Sequence, residues 1–362
     1  MTRLDKSEVI SNIYFAHALV EASGPAGAQD SDGRVYVIPS LFLGHPLDET
    51  GKTVLGFGIY SPFGLGSKWD DDDTRGWVMA AGKGFGDMST KLSEIQLVNF
   101  NPVIARQVTD KLSLAFGIDY YWTRAINRGW MNYAPLGAPG EVDLDLEGDG
   151  WGYNLGLQWE CTDTVTFGFV ARSQVEVDYE GDLDRDNVPG LVPGSPTITS
   201  EADTEIIYPW SLAAGLSWEA TPQLRMELAA EWMEWSEWDR RVVNTDDPLL
   251  GPSFALNLDW KDSWIVMFGT EYDVNEKWTV RGGCGFNETP VRDTRSDVDL
   301  PTGDTYVVTG GATYRASEAL SFEAGLNLAY GRKRTLDNSS APAGTEFDAL
   351  SIYVSLGATY RF

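Results

Sequence analysis

The chain ends in Ser351-Ile-Tyr-Val-Ser-Leu-Gly-Ala-Thr-Tyr-Arg-Phe362. Its even positions read Ile352, Val354, Leu356, Ala358, Tyr360 and Phe362. Its odd positions read Ser351, Tyr353, Ser355, Gly357, Thr359 and Arg361. A period of two is a strand with one apolar face. The stretch from Leu112 repeats it, with Leu112, Leu114, Phe116, Ile118, Tyr120 and Trp122 against Ser113, Ala115, Gly117, Asp119, Tyr121 and Thr123. Trp151–Trp159, Val165–Ala171, Trp210–Trp218, Leu224–Trp232, Tyr306–Tyr314 and the region of Leu320 behave alike.

The second face is small and polar, with charges at Asp119, Arg172, Arg225, Glu227, Glu231, Arg281 and Glu323. A soluble sandwich would also alternate. Here the apolar stripes run about 10 residues, the span of a tilted membrane strand. Aromatic residues mark their ends, as Trp122, Trp151, Trp159, Trp210, Trp218, Tyr306, Tyr314, Tyr360 and Phe362 do. Aromatic belts of this kind sit at both membrane interfaces.

Connections alternate too. Short turns fall at Asp48–Lys52, Thr109–Lys111, Thr162–Thr164, Thr221–Gln223, Asn275–Lys277 and Ser317–Ala319. Long segments fall at Gly24–Gly33, Gly64–Ser89, Arg124–Asp149, Glu180–Thr204, Arg240–Pro252, Glu288–Asp304 and Gly331–Thr345. Six turns and seven loops join fourteen strands, starting near Glu8, Arg34, Thr53, Thr90, Leu112, Trp151, Val165, Glu205, Leu224, Phe254, Trp278, Thr305, Leu320 and Phe347. The expectation is an all-β, fourteen-stranded antiparallel transmembrane β-barrel of the bacterial outer membrane. The even count puts both chain ends on the short-turn, periplasmic side. Residues 8–362 read as one barrel and 1–7 as a short polar segment before it.

Composition agrees. With 14 Trp, 15 Tyr and 15 Phe, the chain is too aromatic to bury nothing. Two cysteines, Cys161 and Cys284, cannot staple 362 residues, and no metal-ligand spacing connects them. A formal charge of −27 disfavours nucleic acid. No apolar run reaches the roughly 18 residues of a membrane helix. His17 and His45 are the only histidines, and nothing in the sequence sets a serine beside either, so no enzyme, metal or cofactor is expected. Much of the acid lies in the long segments, as at Asp70–Asp73, Glu141–Asp149 and Glu180–Asp186. These read as solvated loops, or as a surface facing divalent cations or lipopolysaccharide.

Several segments resemble the FadL family of outer-membrane transporters for long-chain fatty acids and other hydrophobic compounds. Ser61-Pro-Phe-Gly-Leu65 is similar to its third-strand motif. Asn101–Ser113 followed by Phe116–Tyr120 resembles its strand four, turn and strand five. Gly148–Gly156, Ala171-Arg-Ser173 and Tyr179-Glu-Gly-Asp182 resemble strands six and seven. Trp232–Ser236, Glu288–Arg292 and Leu300–Asp304 fit later segments. The resemblance spans roughly Val35 to Phe362. It departs at the start, where the family has a signal peptide and a plug carrying Asn-Pro-Ala. Met1–Ser7 is polar, without an apolar signal core. The expectation is that the sequence begins downstream of both.

The resemblance implies a mechanism and a site. A hydrophobic small molecule lands between two long external loops, here Arg124–Asp149 and Glu180–Thr204, enters the barrel, and leaves sideways beside a kinked third strand. Pro62 has no donor for a ladder, and Gly64 and Gly66 weaken a strand, so Pro62, Phe63, Gly64 and Gly66 mark the expected exit. Arg124 and Arg128 are the candidate cations of the path, with Tyr121, Trp130, Met131 and Tyr133 as its apolar surface, continued by Leu136–Pro139 and Val188–Val192. Arg172, Arg225 and Arg281 should face the lumen. They serve either a ligand carboxylate or ion pairs with Asp119, Glu227, Glu231 or Glu323. Tyr360 and Phe362 read as the C-terminal assembly signal for the barrel-assembly machinery. A monomer surrounded by outer-membrane lipid and lipopolysaccharide is expected. Rival readings are an aromatic-hydrocarbon channel, and a diffusion porin or structural barrel.

Overall fold

The structure, a computed structural model, describes residues 4–25, 27–70, 88–134, 139–186, 188, 197–247, 250–297, 300–336 and 343–362. It is a closed 14-stranded antiparallel barrel. The strands are β1 (Glu8–Gly24), β2 (Val35–Pro46), β3 (Thr53–Tyr60, resumed at Gly64–Lys68), β4 (Met88–Gln107) and β5 (Leu112–Met131). Then come β6 (Gly140–Glu160), β7 (Val165–Arg172 and Val175–Arg185), β8 (Ile198–Tyr208 and Ser211–Glu219), β9 (Leu224–Met233 and Arg240–Thr245) and β10 (Ser253–Asn257 and Ser263–Asp273). The last four are β11 (Trp278–Asn287), β12 (Thr305–Arg315), β13 (Leu320–Leu336) and β14 (Thr345–Arg361). A short strand, Gly27–Asp30, folds back on the end of β1.

β1 closes the barrel against β14, in register from Glu8↔Arg361 to Ser23↔Glu346. The two ends are tied by Ser7 N–H to the Phe362 carbonyl at 3.1 Å and Phe362 N–H to the Ser7 carbonyl at 2.9 Å. Both therefore lie at the short-turn rim.

The short turns share one local cause. Their first residue carries a side-chain oxygen that accepts from backbone N–H groups two to three residues on. Thr109 takes Leu112 N–H at 3.0 Å, Thr162 takes Val165 at 3.0 Å, Thr221 takes Leu224 at 3.0 Å, Asn275 takes Trp278 at 3.0 Å and Ser317 takes Leu320 at 3.1 Å. Asp48 does the same for Thr50 and Thr53.

Alternation sorts the two faces. On β5, Leu114, Phe116, Ile118 and Trp122 are exposed while Gly117, Asp119, Tyr121 and Thr123 are buried inside. The exposed apolar belt continues through Trp151, Trp218, Trp264, Tyr306, Phe322 and Leu356 around the wall. In water it would be an association surface; in a bilayer it is the lipid face.

Two long segments are corrected. Arg124–Asp149 and Glu180–Thr204 are mostly strand: β5 runs on to Met131, β6 starts at Gly140 rather than Trp151, and β8 starts at Ile198 rather than Glu205. Their alternation has acid on one face, so it reads as loop by composition. The ladder reveals it, since Asp143, Asp145, Glu147 and Asp149 of β6 pair with Asp184, Asp182, Glu180 and Asp178 of β7. Asn99–Pro102 lies inside the continuous β4 despite its proline. Asn101 turns inward and donates to the Ile118 carbonyl at 2.8 Å. β10 is broken between Asn257 and Ser263.

Candidate functional site

Four neighbouring strands break at one height. Arg172 ends the lower part of β7, opposite Ser211, the first residue of the lower part of β8. Ser211 faces Met233, the last residue of the lower part of β9, and Met233 faces Ser263, where β10 resumes. Above this level β7, β8, β9 and β10 resume and pair on in the same order beside β6, which runs through unbroken. The connections at the break carry aromatic side chains inward.

An apolar chamber results, filled by its own side chains. Phe63 stacks on Tyr208 at 5.3 Å between centroids and meets Tyr121 and Trp235 edge-on at 6.5 and 5.7 Å. Trp235, Trp238 and Trp260 pack together at 4.6 to 5.4 Å. Leu97, Val175, Val177, Ile206 and Val243 complete the cluster and are almost wholly buried. The polar tips are matched: Tyr179 Oη lies 2.7 Å from Thr123 Oγ1 and 2.8 Å from Tyr208 Oη, and Trp238 Nε1 donates to the Ile207 carbonyl at 2.7 Å. At the top, Arg185 and Asp247 form an ion pair with no exposed surface on either side chain.

Beneath the chamber is a polar floor. Asp119, 1% exposed, accepts from Asn99 Nδ2 at 2.6 Å and from Asn154 Nδ2 at 2.7 Å. The Arg172 guanidinium lies 5.9 Å from the Tyr60 ring centroid. It forms no ion pair among the described residues, whereas Arg225 and Arg281 share Glu271 at 3.2 and 2.6 Å. Glu271 was not among the anticipated partners. It is the residue directly opposite Arg225 and Arg281 in the ladders.

The third strand breaks where Pro62 stands. β3 pairs with β4 up to Tyr60↔Asn99 and again from Gly64↔Gln96. Its ladder to β2 stops at Leu41↔Ile59, so the upper edge of β2, from Val35 to Ser40, has no strand beside it on that side among the described residues. Higher up the wall closes again, with Asp32 N–H on the Lys68 carbonyl at 2.8 Å and Ser31 bridged to Trp69. A cavity of about 460 Å3 occupies the interval, lined by Val37, Ser61, Phe63, Gly64, Gly66 and Leu97 among others. The Arg34–Glu94 pair, at 3.1 Å, lies at its upper rim.

Of the anticipated path residues, Tyr121, Met131 and Tyr133 meet in the apolar cluster, with Phe63 packed against it. Trp130 is also buried, on the opposite side of β5 from Met131. Arg124 and Arg128 do not face the interior. They stand on the same face as Trp122, where Arg124 Nε donates to Asp145 at 2.7 Å and Arg128 Nε lies 2.8 Å from Asp143. That bond holds the Asp145 carboxyl below the usual carboxylate range. Period two already put Arg124 on the Trp122 side. Residues 136–138, 189–192 and 71–73 lie outside the described residues. Trp238, Trp260, Tyr179 and Tyr208 were not anticipated, because they come together only through the shared break. Tyr360 and Phe362 stack at 5.8 Å and are exposed at the lower rim. Ser7 Oγ lies 2.8 Å from His45 Nδ1, a proximity the sequence does not suggest. Among the described residues no carboxylate reaches this imidazole. Glu176, Asp178 and Glu205 gather carboxylates within 4.8 Å on the exposed face above the belt.

Known proteins share this architecture. A Pseudomonas aeruginosa FadL homologue superposes with a TM-score of 0.81 at 18% identity, covering 99% of this chain and 91% of the other. The Ralstonia pickettii toluene transporter TbuX gives 0.75 at 17%, covering 99% and 90%. In sequence, the long-chain fatty acid transport protein of Escherichia coli K12 is 25% identical over 377 residues, 92% of this chain and 80% of the relative. A 47 kDa outer membrane protein of Pasteurella multocida is 26% identical over 349 residues, 90% and 77%. Residues 1–362 match the family described as outer membrane protein transport protein (OMPP1/FadL/TodX), and the chain belongs to that family of outer-membrane transport channels.

Proposed function

We propose that this barrel takes up long-chain fatty acids or similar hydrophobic molecules through the apolar chamber and releases them sideways into the membrane beside the broken third strand. The observation that carries the reading is the wall cavity. Leu97 and Phe63 belong to the interior cluster, while Val37, 59% exposed, lies on the lipid face, and the same cavity touches all three. An apolar ligand gains roughly 0.8 kcal/mol per CH2 removed from water. Leaving into lipid keeps that gain, and leaving into the periplasm forfeits it. The packed upper half argues against a water-filled porin.

A second reading, aromatic-hydrocarbon uptake, draws on the ring-lined chamber and on the toluene transporters of the same fold. A fluorescent fatty-acid probe on the refolded barrel, competed with oleate, toluene and a sugar, separates the two. Displacement by toluene but not oleate would move the function to hydrocarbons, and sugar displacement would move it to a porin. For the exit, Pro62→Val with Gly64→Val restores ladder capacity without a clash, since a Cβ at Gly64 meets nothing within 4 Å. The expected result is lost uptake with binding retained. Normal uptake in the folded double variant would sink the lateral route.

A further inference from the structure

Among the described residues, two buried polar atoms in the floor of the chamber have no partner, and both belong to side chains beside Tyr60. A carboxylate only accepts, so Asn99 and Asn154 must both turn their NH2 groups to Asp119. That leaves Asn99 Oδ1 pointing elsewhere, and it has no hydrogen bond although Asn99 is fully buried. Arg172 Nε is likewise buried without an acceptor. The two are neighbours of one ring. Asn99 is the cross-strand partner of Tyr60, and the Arg172 guanidinium lies by that ring. Arg172 is in turn the cross-strand partner of Asn154, which holds Asp119.

An unpaired donor and an unpaired acceptor are costly in a native interior unless something fills them. The chamber directly above is apolar, and Tyr121 joins the two regions as the cross-strand partner of Asn99 and an edge-on neighbour of Phe63 and Tyr208.

We propose that Arg172 Nε and Asn99 Oδ1 bind the polar end of the transported molecule, and that they select a neutral group able both to accept and to donate. A primary alcohol or a protonated carboxylic acid on a long apolar chain has this chemistry. The proposal rests on the reading of the chamber as the ligand path and adds the class of ligand. Ionised carboxylates fit less well. Arg172 supplies one positive charge, but Asp119 already places a buried negative charge one residue away, through Asn154. A second anion there would meet repulsion in a low-dielectric site, which favours the protonated acid. Plain hydrocarbons leave both atoms unpaired.

The test uses the refolded full chain in detergent at fixed concentration. Oleyl alcohol, oleic acid, methyl oleate and 1-octadecene each compete with a dansyl-labelled fatty acid. The alcohol should bind about 10- to 100-fold tighter than the alkene, as expected when two buried groups gain or lose partners. The ester, which accepts but cannot donate, should fall between. Raising the pH from about 5 to about 9, which depletes the protonated acid throughout because the ordinary carboxylic acid range lies below it, should weaken the acid and leave the alcohol unchanged. Arg172→Leu should erase most of the preference for alcohol over alkene while leaving alkene affinity within about twofold, a ratio that stability alone would not move. Asn99→Leu should do the same for alcohol over ester. Equal affinity of alcohol and alkene in the native chain, or an acid that binds tighter at high pH, would overturn the head-group proposal and leave the chamber intact. Absence of displacement by any of the four would overturn the chamber reading itself.

Discussion

The two halves of the barrel interior obey different packing rules. Above the break at Arg172, Ser211, Met233 and Ser263, inward side chains are large and apolar and meet across the axis. Below it the inner wall is lined by small residues, such as Ala115, Gly156, Gly168, Gly215, Gly283 and Thr309, with hollows of about 480 and 530 Å3 against it. Glycines show the contrast most directly. A Cβ at Gly140 or Gly181 in the upper sheet would stand 2.1 Å from a backbone carbonyl oxygen, whereas at Gly168 or Gly269 on the lower inner wall it would meet nothing within 4 Å. The upper half is assembled as a packed apolar core. The lower half is a scaffold whose information lies on its lipid face.

The buried ion pair provides the hardest way to break this contrast. Arg185 and Asp247 have no solvent to fall back on. Asp247→Ala should destabilise the folded barrel by about 3–5 kcal/mol, because it strands a buried guanidinium. Arg185→Met with Asp247→Leu should recover most of that loss. Urea unfolding from lipid vesicles would measure both. An unchanged midpoint in Asp247→Ala would mean the upper half is not closed as described.

Glycine substitutions probe the same division at smaller cost. Gly181→Ala should lose roughly 1–3 kcal/mol, since the clash is with the Asp145 backbone. Gly168→Ala should stay within about 0.5 kcal/mol of the native chain. Equal effects would show that both halves are packed alike. Tyr208→Phe sits between them. It removes the 2.8 Å contact with Tyr179 but leaves Tyr179 its bond to Thr123, so about 1 kcal/mol is expected.

The sequence exposes these halves unequally. Below the break each strand carries its own record, because alternation against lipid is local; β11, β12 and β13 start where period two places them. The six turns are equally local, each set by one Asp, Thr, Asn or Ser. Above the break both faces of β6 and β7 have water or protein beside them, and the acid-rich face hides the strand. The chamber is less legible still. Phe63 and Trp238 are separated by nearly half of the chain, and nothing local says that four strands break at one height. Tyr121, Met131 and Tyr133 could be picked out as apolar residues in a charged stretch. Trp260 could not, because its place depends on Trp235 and Trp238.

Arg124 turns that difference into the gentlest prediction. As a path cation it would bind ligand, but it lies on the outer face, half open to solvent, against Asp145. Arg124→Ala should therefore leave fatty-acid affinity within about twofold and change stability by under about 1 kcal/mol, the range of exposed pairs. Its signature is pH dependence. The Arg124 hydrogen bond lowers the folded Asp145 pKa, so its contribution is complete at neutral pH and is lost as pH falls through that depressed value. Native chain and variant should converge in acid and separate slightly above the ordinary aspartate range. A large loss of ligand binding in Arg124→Ala at neutral pH would instead move the landing surface from the interior of the upper half to its outer wall.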